Sequence, residues 1–166
     1  MILRALTLAG GLVGGAVTSQ FPEYSQQYLQ RLGGAVDALE QVTVDFDASA
    51  QSVGLTRGDA LAQMTGSPFM ERRRVDMTNT FRRYDALSDA LSQLEGQGPF
   101  MRAYHLPKMR DPKIAKAAWD VYQPAMPLNF AGLIFAGVGF VLGALGISLL
   151  VRLLAFPFRR RKAAAN

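Results

Sequence analysis

The stretch Leu128–Val151, LNFAGLIFAGVGFVLGALGISLLV, constrains everything else in the chain. No charged residue falls between Asp120 and Arg152. An α-helix rises about 1.5 Å per residue, so about 20 apolar residues cross a ~30 Å hydrocarbon core. This run is long enough to cross, and the remaining sequence is read relative to a bilayer.

A second apolar segment opens the chain. Met1–Phe21 reads MILRALTLAGGLVGGAVTSQF, with no charge from Ala5 to Pro22. Two readings compete for it. One is a cleaved secretory signal, with Arg4 as its positive start and Val17 and Ser19 near a cut. The other is a retained transmembrane helix, favoured by a glycine content unusual in signal cores. Gly10, Gly11, Gly14 and Gly15 form two overlapping GxxxG pairs, and Gly139 and Gly143 form a third in the other span. Small residues let helix backbones approach closely in lipid, so these six glycines are the candidate helix-packing and partner interface.

Charge location sharpens the membrane reading. All 13 acids lie between Glu23 and Asp120, so the middle of the chain is near neutral although the net charge is +5. Arg4, Arg152, Arg159, Arg160, Arg161 and Lys162 flank the apolar ends. Short basic flanks stay cytoplasmic, so Arg159–Lys162 forms a cytoplasmic basic anchor. Two spans then place both termini inside and residues 22–126 on the periplasmic side of a bacterial inner membrane. Phe21, Tyr24, Tyr28, Trp119 and Tyr122 read as an aromatic belt at one interface. No basic face with groove-reading elements argues for nucleic acid. The absence of cysteine excludes disulfides and thiolate metal sites.

The middle is helix-forming. Pro22 starts a helix, with Ser19 or Gln20 as its cap. Tyr28, Leu32, Ala35, Leu39, Val42, Phe46, Ser49 and Val53 make a heptad-like seam. Gly33-Gly34 interrupts it, which suggests a bend or a close approach. Gly54 stops it. A short helix follows, capped by Thr56. Ser67-Pro68 starts a longer one, to about Glu95, with a seam of Met70, Met77, Phe81, Tyr84, Leu87, Leu91 and Leu94. Asp111-Pro112 starts the last helix of the middle. The expected fold is all-α: two transmembrane helices (residues 1–21 and 127–156) joined by an extracytoplasmic, coiled-coil-like helical hairpin domain (22–126), with a basic tail at 157–166.

Residues that carry chemistry are few. His105 is the single histidine and has no neighbouring ligand set, so no metal is expected. Asp45 and Asp47 lie on different sides of a helix, a solvated face rather than a cation loop. Arg72-Arg73-Arg74 is the sharper feature: guanidinium forks match lipid phosphate or an acidic partner. The plainer reading is a solvated helix face paired with Glu71 and Asp76. No cofactor is implied.

The segment SQFPEYSQQYLQRLGGAVDAL (Ser19–Leu39), with a glycine-rich first span and a second span near the C-terminus, resembles an uncharacterised proteobacterial family of two-span inner-membrane proteins, a domain-of-unknown-function family. The resemblance implies an inner-membrane location and carries over no functional residue. The sequence therefore points to a non-catalytic accessory or scaffold subunit of an inner-membrane assembly, with membrane lipids and a membrane-protein partner as its contacts. Another class is a self-associating membrane-shaping or sensing protein. A periplasmic-side enzyme or small-molecule binder is the weakest, for want of a nucleophile–base pair.

Overall fold

Start and stop signals written in the sequence set the helix boundaries of this all-α chain. The computed structural model describes the backbone of residues 2–124 and 129–163, and the side chains of residues 3–124 and 129–154. Its helices are α1 (Ile2–Thr18), α2 (Phe21–Ser52), α3 (Arg57–Gln63), α4 (Pro68–Leu94), α5 (Pro99–Tyr104), α6 (Pro112–Asp120) and α7 (Phe130–Ala163), with a 3₁₀ turn at Leu106–Lys108. The chain divides into two units. An apolar unit holds Met1–Ser25 and Tyr122–Asn166, and a polar unit holds Gln26–Val121.

In the polar unit each boundary has a local cause. Gly54 takes φ +75° after α2, and the Leu55 and Gly54 N–H groups bond back to the Ala50 and Gln51 carbonyls. That pair of bonds is a Schellman cap, which needs a left-handed residue where glycine carries no Cβ penalty. The Ser67 hydroxyl accepts from the Met70 N–H, with Pro68 in the first turn of α4. Asp111 accepts from both Lys113 and Ile114 at 3.0 Å, with Pro112 in the first turn of α6. Thr56 caps α3 from the Asp59 N–H. At the entry to α2, Gln20 holds the N-cap position, its carbonyl taking the first bond of the helix. The Ser19 hydroxyl donates back to the Ala16 carbonyl of α1, while the Gln20 backbone carbonyl receives the Tyr24 N–H.

The α2 seam differs from expectation beyond Leu32. Tyr28 and Leu32 are buried as expected, but then Val36, Thr43 and Ala50 are buried in place of Ala35, Val42 and Ser49, and Val53 is exposed. Thr43 tolerates burial because its hydroxyl donates to the Leu39 carbonyl, 2.9 Å away, and so hides its polar atom. Tyr28 is 1% exposed and its Oη accepts the Asp111 N–H at 3.3 Å. It is core, not interfacial belt. The α4 seam holds at Met77, Phe81, Leu87 and Leu94 and adds Ala90. Phe46 meets Phe81 edge-on at 5.1 Å.

In the apolar unit, Asn129 caps α7 through the Gly132 N–H. Among the described residues, one helix is long and apolar enough to cross a membrane, over Phe130–Leu154. Leu128, where the sequence places the start of that run, lies outside the described residues. At 17 residues, α1 is about 25 Å long.

Gly33 and Gly34 do not interrupt α2, and no described neighbour closes on them. The helix runs through them, and a Cβ at either would meet nothing within 4 Å. Alanine lowers the backbone entropy cost without a clash, so Gly33→Ala and Gly34→Ala should each stabilise the protein by about 0.5–1 kcal/mol. A raised thermal midpoint by circular dichroism is the expected reading.

Candidate functional site

In the apolar unit α1 and α7 run antiparallel. Thr7 and Ser148 hydroxyls lie 3.2 Å apart near one end, and the Thr18 hydroxyl donates to the Phe135 carbonyl at 2.7 Å near the other. Between these bonds lies the glycine seam. A Cβ on Gly14 would run into the Gly139 carbonyl and come 3.1 Å from Gly143 Cα. One on Gly143 would strike the Gly10 carbonyl, and one on Gly139 the Thr18 hydroxyl and the Gly14 carbonyl. At Gly15 it would come 2.9 Å from the Ala136 carbonyl. Gly11 lies under the Phe140 ring, 2.7 Å from such an atom, and Gly10 lies against Ile147. The two backbones thus touch where each lacks a side chain, the geometry by which helices associate without a hydrophobic driving force. Gly137 and Gly146 face open space.

The arginine run of α4 does not converge. Arg72 pairs with Asp76 at 3.7 Å, and Arg73 reaches the Met77 sulfur at 3.8 Å. Arg74 instead lines a shallow groove with Leu61, Thr78, Asn79 and Arg82. Three consecutive helical residues are spread about 100° apart around the axis, so one oxyanion cannot be gripped by all three. The side chains of Arg159, Arg160, Arg161 and Lys162 lie outside the described residues.

Two ion pairs were not legible in the sequence. Asp47 is gripped by Arg57 through Nε and Nη2, and that guanidinium stacks 4.6 Å from the Phe81 ring centroid. The Arg57 hydrogen bonds hold the Asp47 carboxyl below the usual range against a smaller cost of burial. Asp111 receives Arg83 at 2.8 and 3.2 Å besides capping α6. Burial opposes its charge, but the Arg83 hydrogen bonds, the Ile114 and Lys113 N–H groups and the Arg83 charge together leave its carboxyl below the usual value. His105 stacks edge-on against Tyr104 at 5.1 Å, and no cluster of three or more metal-ligating side chains occurs among the described residues.

A helical chain with this organisation matches, over residues 2–160, a family described as "protein of unknown function (DUF2937)". The chain belongs to this family. Its description names no activity, so the DUF2937 match assigns no role to the glycines or arginines above. No curated protein and no solved structure matches the chain. In this DUF2937 chain the hydroxyls of Thr7, Thr18 and Ser148 are the seam residues that spacing missed. The available signal was their position, one helical turn from a glycine pair or from the end of an apolar run.

Two predictions follow from this geometry. In the cysteine-free chain, Thr7→Cys with Ser148→Cys should crosslink within one chain on mild oxidation, read as a shift on a non-reducing gel. Adding Gly139→Leu should abolish the crosslink, because the larger side chain separates the backbones. At Asp111, alanine should cost about 2 kcal/mol, since cap and ion pair are lost together, whereas asparagine still caps and should cost less. A lowered carboxyl pKa means the Asp111 contribution is complete above about pH 4 and fades as pH falls through the lower folded value. Unfolding followed at pH 7 and pH 3 should therefore show a smaller pH effect in the asparagine variant.

Proposed function

We propose that the chain is a two-span inner-membrane protein that serves as a non-catalytic accessory or scaffold subunit of a membrane assembly. The observation that supports this most is the pairing of α1 with α7. The contacts from Thr7–Ser148 to Thr18–Phe135 all fall within the part of α7 that is long and apolar enough to cross a membrane. Wherever that part lies in depth, α1 lies beside it. The outer faces of the pair are apolar. Leu6, Leu12, Val13 and Val17 of α1 and Leu133, Val138, Leu142, Leu145 and Leu149 of α7 are exposed. Apolar side chains exposed in this number call for lipid or a protein partner against them. The short α1 is matched to a bilayer by local thinning and by snorkelling of Arg4.

The topology of this reading puts both termini in the cytoplasm and residues 22–126, as a helical hairpin, in the periplasm. The basic tail then follows the positive-inside rule. Gly137 and Gly146, which the α1 contact leaves open, give a second helix room to approach α7. The polar unit binds a partner's outer domain, and its Asp47–Arg57 and Asp111–Arg83 pairs serve to hold its own helices.

Two measurements on one strain test this. A cysteine introduced at Gln97 should be labelled by an impermeant maleimide from the periplasmic side; labelling only after lysis of the inner membrane would reverse the topology. Extraction in mild detergent should yield a native mass that includes another polypeptide. A mass made only of copies of this 18.1 kDa chain would sink the accessory-subunit reading and favour self-association.

A further inference from the structure

The antiparallel register of α1 and α7 brings Arg4 and Arg152 to one level. Thr7 meets Ser148. Arg4 lies three residues before Thr7 and Arg152 four after Ser148, so each stands about one turn beyond that hydroxyl contact, on the same side of it. Both arginines line one open groove between the helices, and Thr7 and Ser148 line it too. Its apolar wall continues through Leu8, Ala144 and Phe140. The volume is about 350 Å³. From Arg152 to Phe140 the groove descends twelve residues along α7, about 18 Å, close to the ~15 Å of hydrocarbon in one leaflet.

The charge of this groove is unbalanced. Neither Arg4 nor Arg152 forms an ion pair among the described residues, and no carboxylate lines the groove. Two uncompensated guanidinium groups at the head of an apolar channel call for a phosphate whose tail is hydrocarbon. Guanidinium forks match phosphate oxygens, and basic pockets between transmembrane helices bind anionic head groups. A zwitterionic lipid brings an ammonium group for which the groove offers no acid.

We propose that the groove headed by Arg4 and Arg152 is a binding site for one anionic phospholipid, its phosphate between the two guanidinium groups and an acyl chain against Ala144 and Phe140. The site rests on the two-span reading above. It is distinct from the Arg72–Arg74 run, which belongs to the polar unit.

The test uses the full chain in mild detergent, examined by native mass spectrometry with phosphatidylglycerol or phosphatidylcholine added at equal concentration. Phosphatidylglycerol should be retained preferentially. Arg4→Gln and Arg152→Gln should each lower its retention about fivefold, and the double variant should bring the two lipids level. Ala144→Trp fills the apolar channel and should lower retention of phosphatidylglycerol with both arginines intact. Arg72→Gln with Arg73→Gln and Arg74→Gln should change nothing. Equal retention of both lipids by the wild-type chain overturns the site. So does loss of the preference in the Arg72–Arg74 variant, and so does displacement of the lipid by inorganic phosphate, which would make the ligand a free anion. Alkaline carbonate extraction of membranes separates the two levels of the argument. A chain that washes off overturns the two-span reading and this site with it. A chain that stays embedded but shows no lipid preference overturns the site alone.

Discussion

The contact on which the apolar unit depends is backbone against backbone, at Gly14 and Gly139. A methyl group on either would occupy space already filled by the other's carbonyl. In a bilayer, where the proposed two-span reading places this pair, burying more hydrocarbon gains little, because lipid is as apolar as leucine. What remains is close packing and polar bonds across the helices. The glycines supply the first, and Thr18 to Phe135 and Thr7 to Ser148 supply the second. Such bonds contribute about 0.6 kcal/mol each on average in lipid. They join the two helices at opposite ends of the glycine seam.

The polar unit is organised by different physics. Asp111 joins three elements: its carboxylate caps α6 and receives Arg83 of α4, while its own N–H is bound by Tyr28 of α2. Arg57 does similar work, gripping Asp47 of α2 while lying over Phe81 of α4. A half-buried carboxylate needs such partners, since each hydrogen bond offsets part of its desolvation. The cores of α2 and α4 are otherwise thin, with Thr43 and Ala50 buried where a coiled coil would place larger apolar residues. Specific polar links therefore add to apolar contacts such as Phe46 on Phe81 in holding these helices.

What was legible in the sequence was what is local. Ser67-Pro68, Asp111-Pro112 and Gly54 marked boundaries because cap and φ preferences act within a few residues. The GxxxG spacing of Gly10 and Gly14 was legible because it is a property of one helix face. The α2 register was not. A hydropathy pattern ranks Val42 above Thr43, and only the back-bond to Leu39 makes the threonine acceptable inside. Gly33-Gly34 suggested a bend or a close approach, but no described atom comes within 4 Å of a Cβ at either, because propensity records a cost and not its reason. Tyr28 looked interfacial from its place after an apolar run, but its hydroxyl has a partner 83 residues away. Asp47–Arg57 and Arg83–Asp111 join residues whose nearness depends on how the helices turn back, which spacing does not encode.

The charged groups that line the grooves differ in what they can do chemically. Proton transfer and nucleophilic attack need groups that titrate or share electrons near neutral pH, converging on one concavity. Asp47 and Asp111 each line a groove, and each is bound by an arginine and held in the ionised form. Among the described residues, Arg74 and Arg82 on α4, and Arg4 and Arg152 in the apolar unit, line grooves without an acid partner. Arginine stays protonated and so acts as a fixed positive charge. Fixed cations beside apolar surface bind and position anionic groups; they do not cycle a proton. In the groove between α1 and α7 that fixed charge stands at the head of an apolar wall, the juxtaposition on which the proposed lipid site rests.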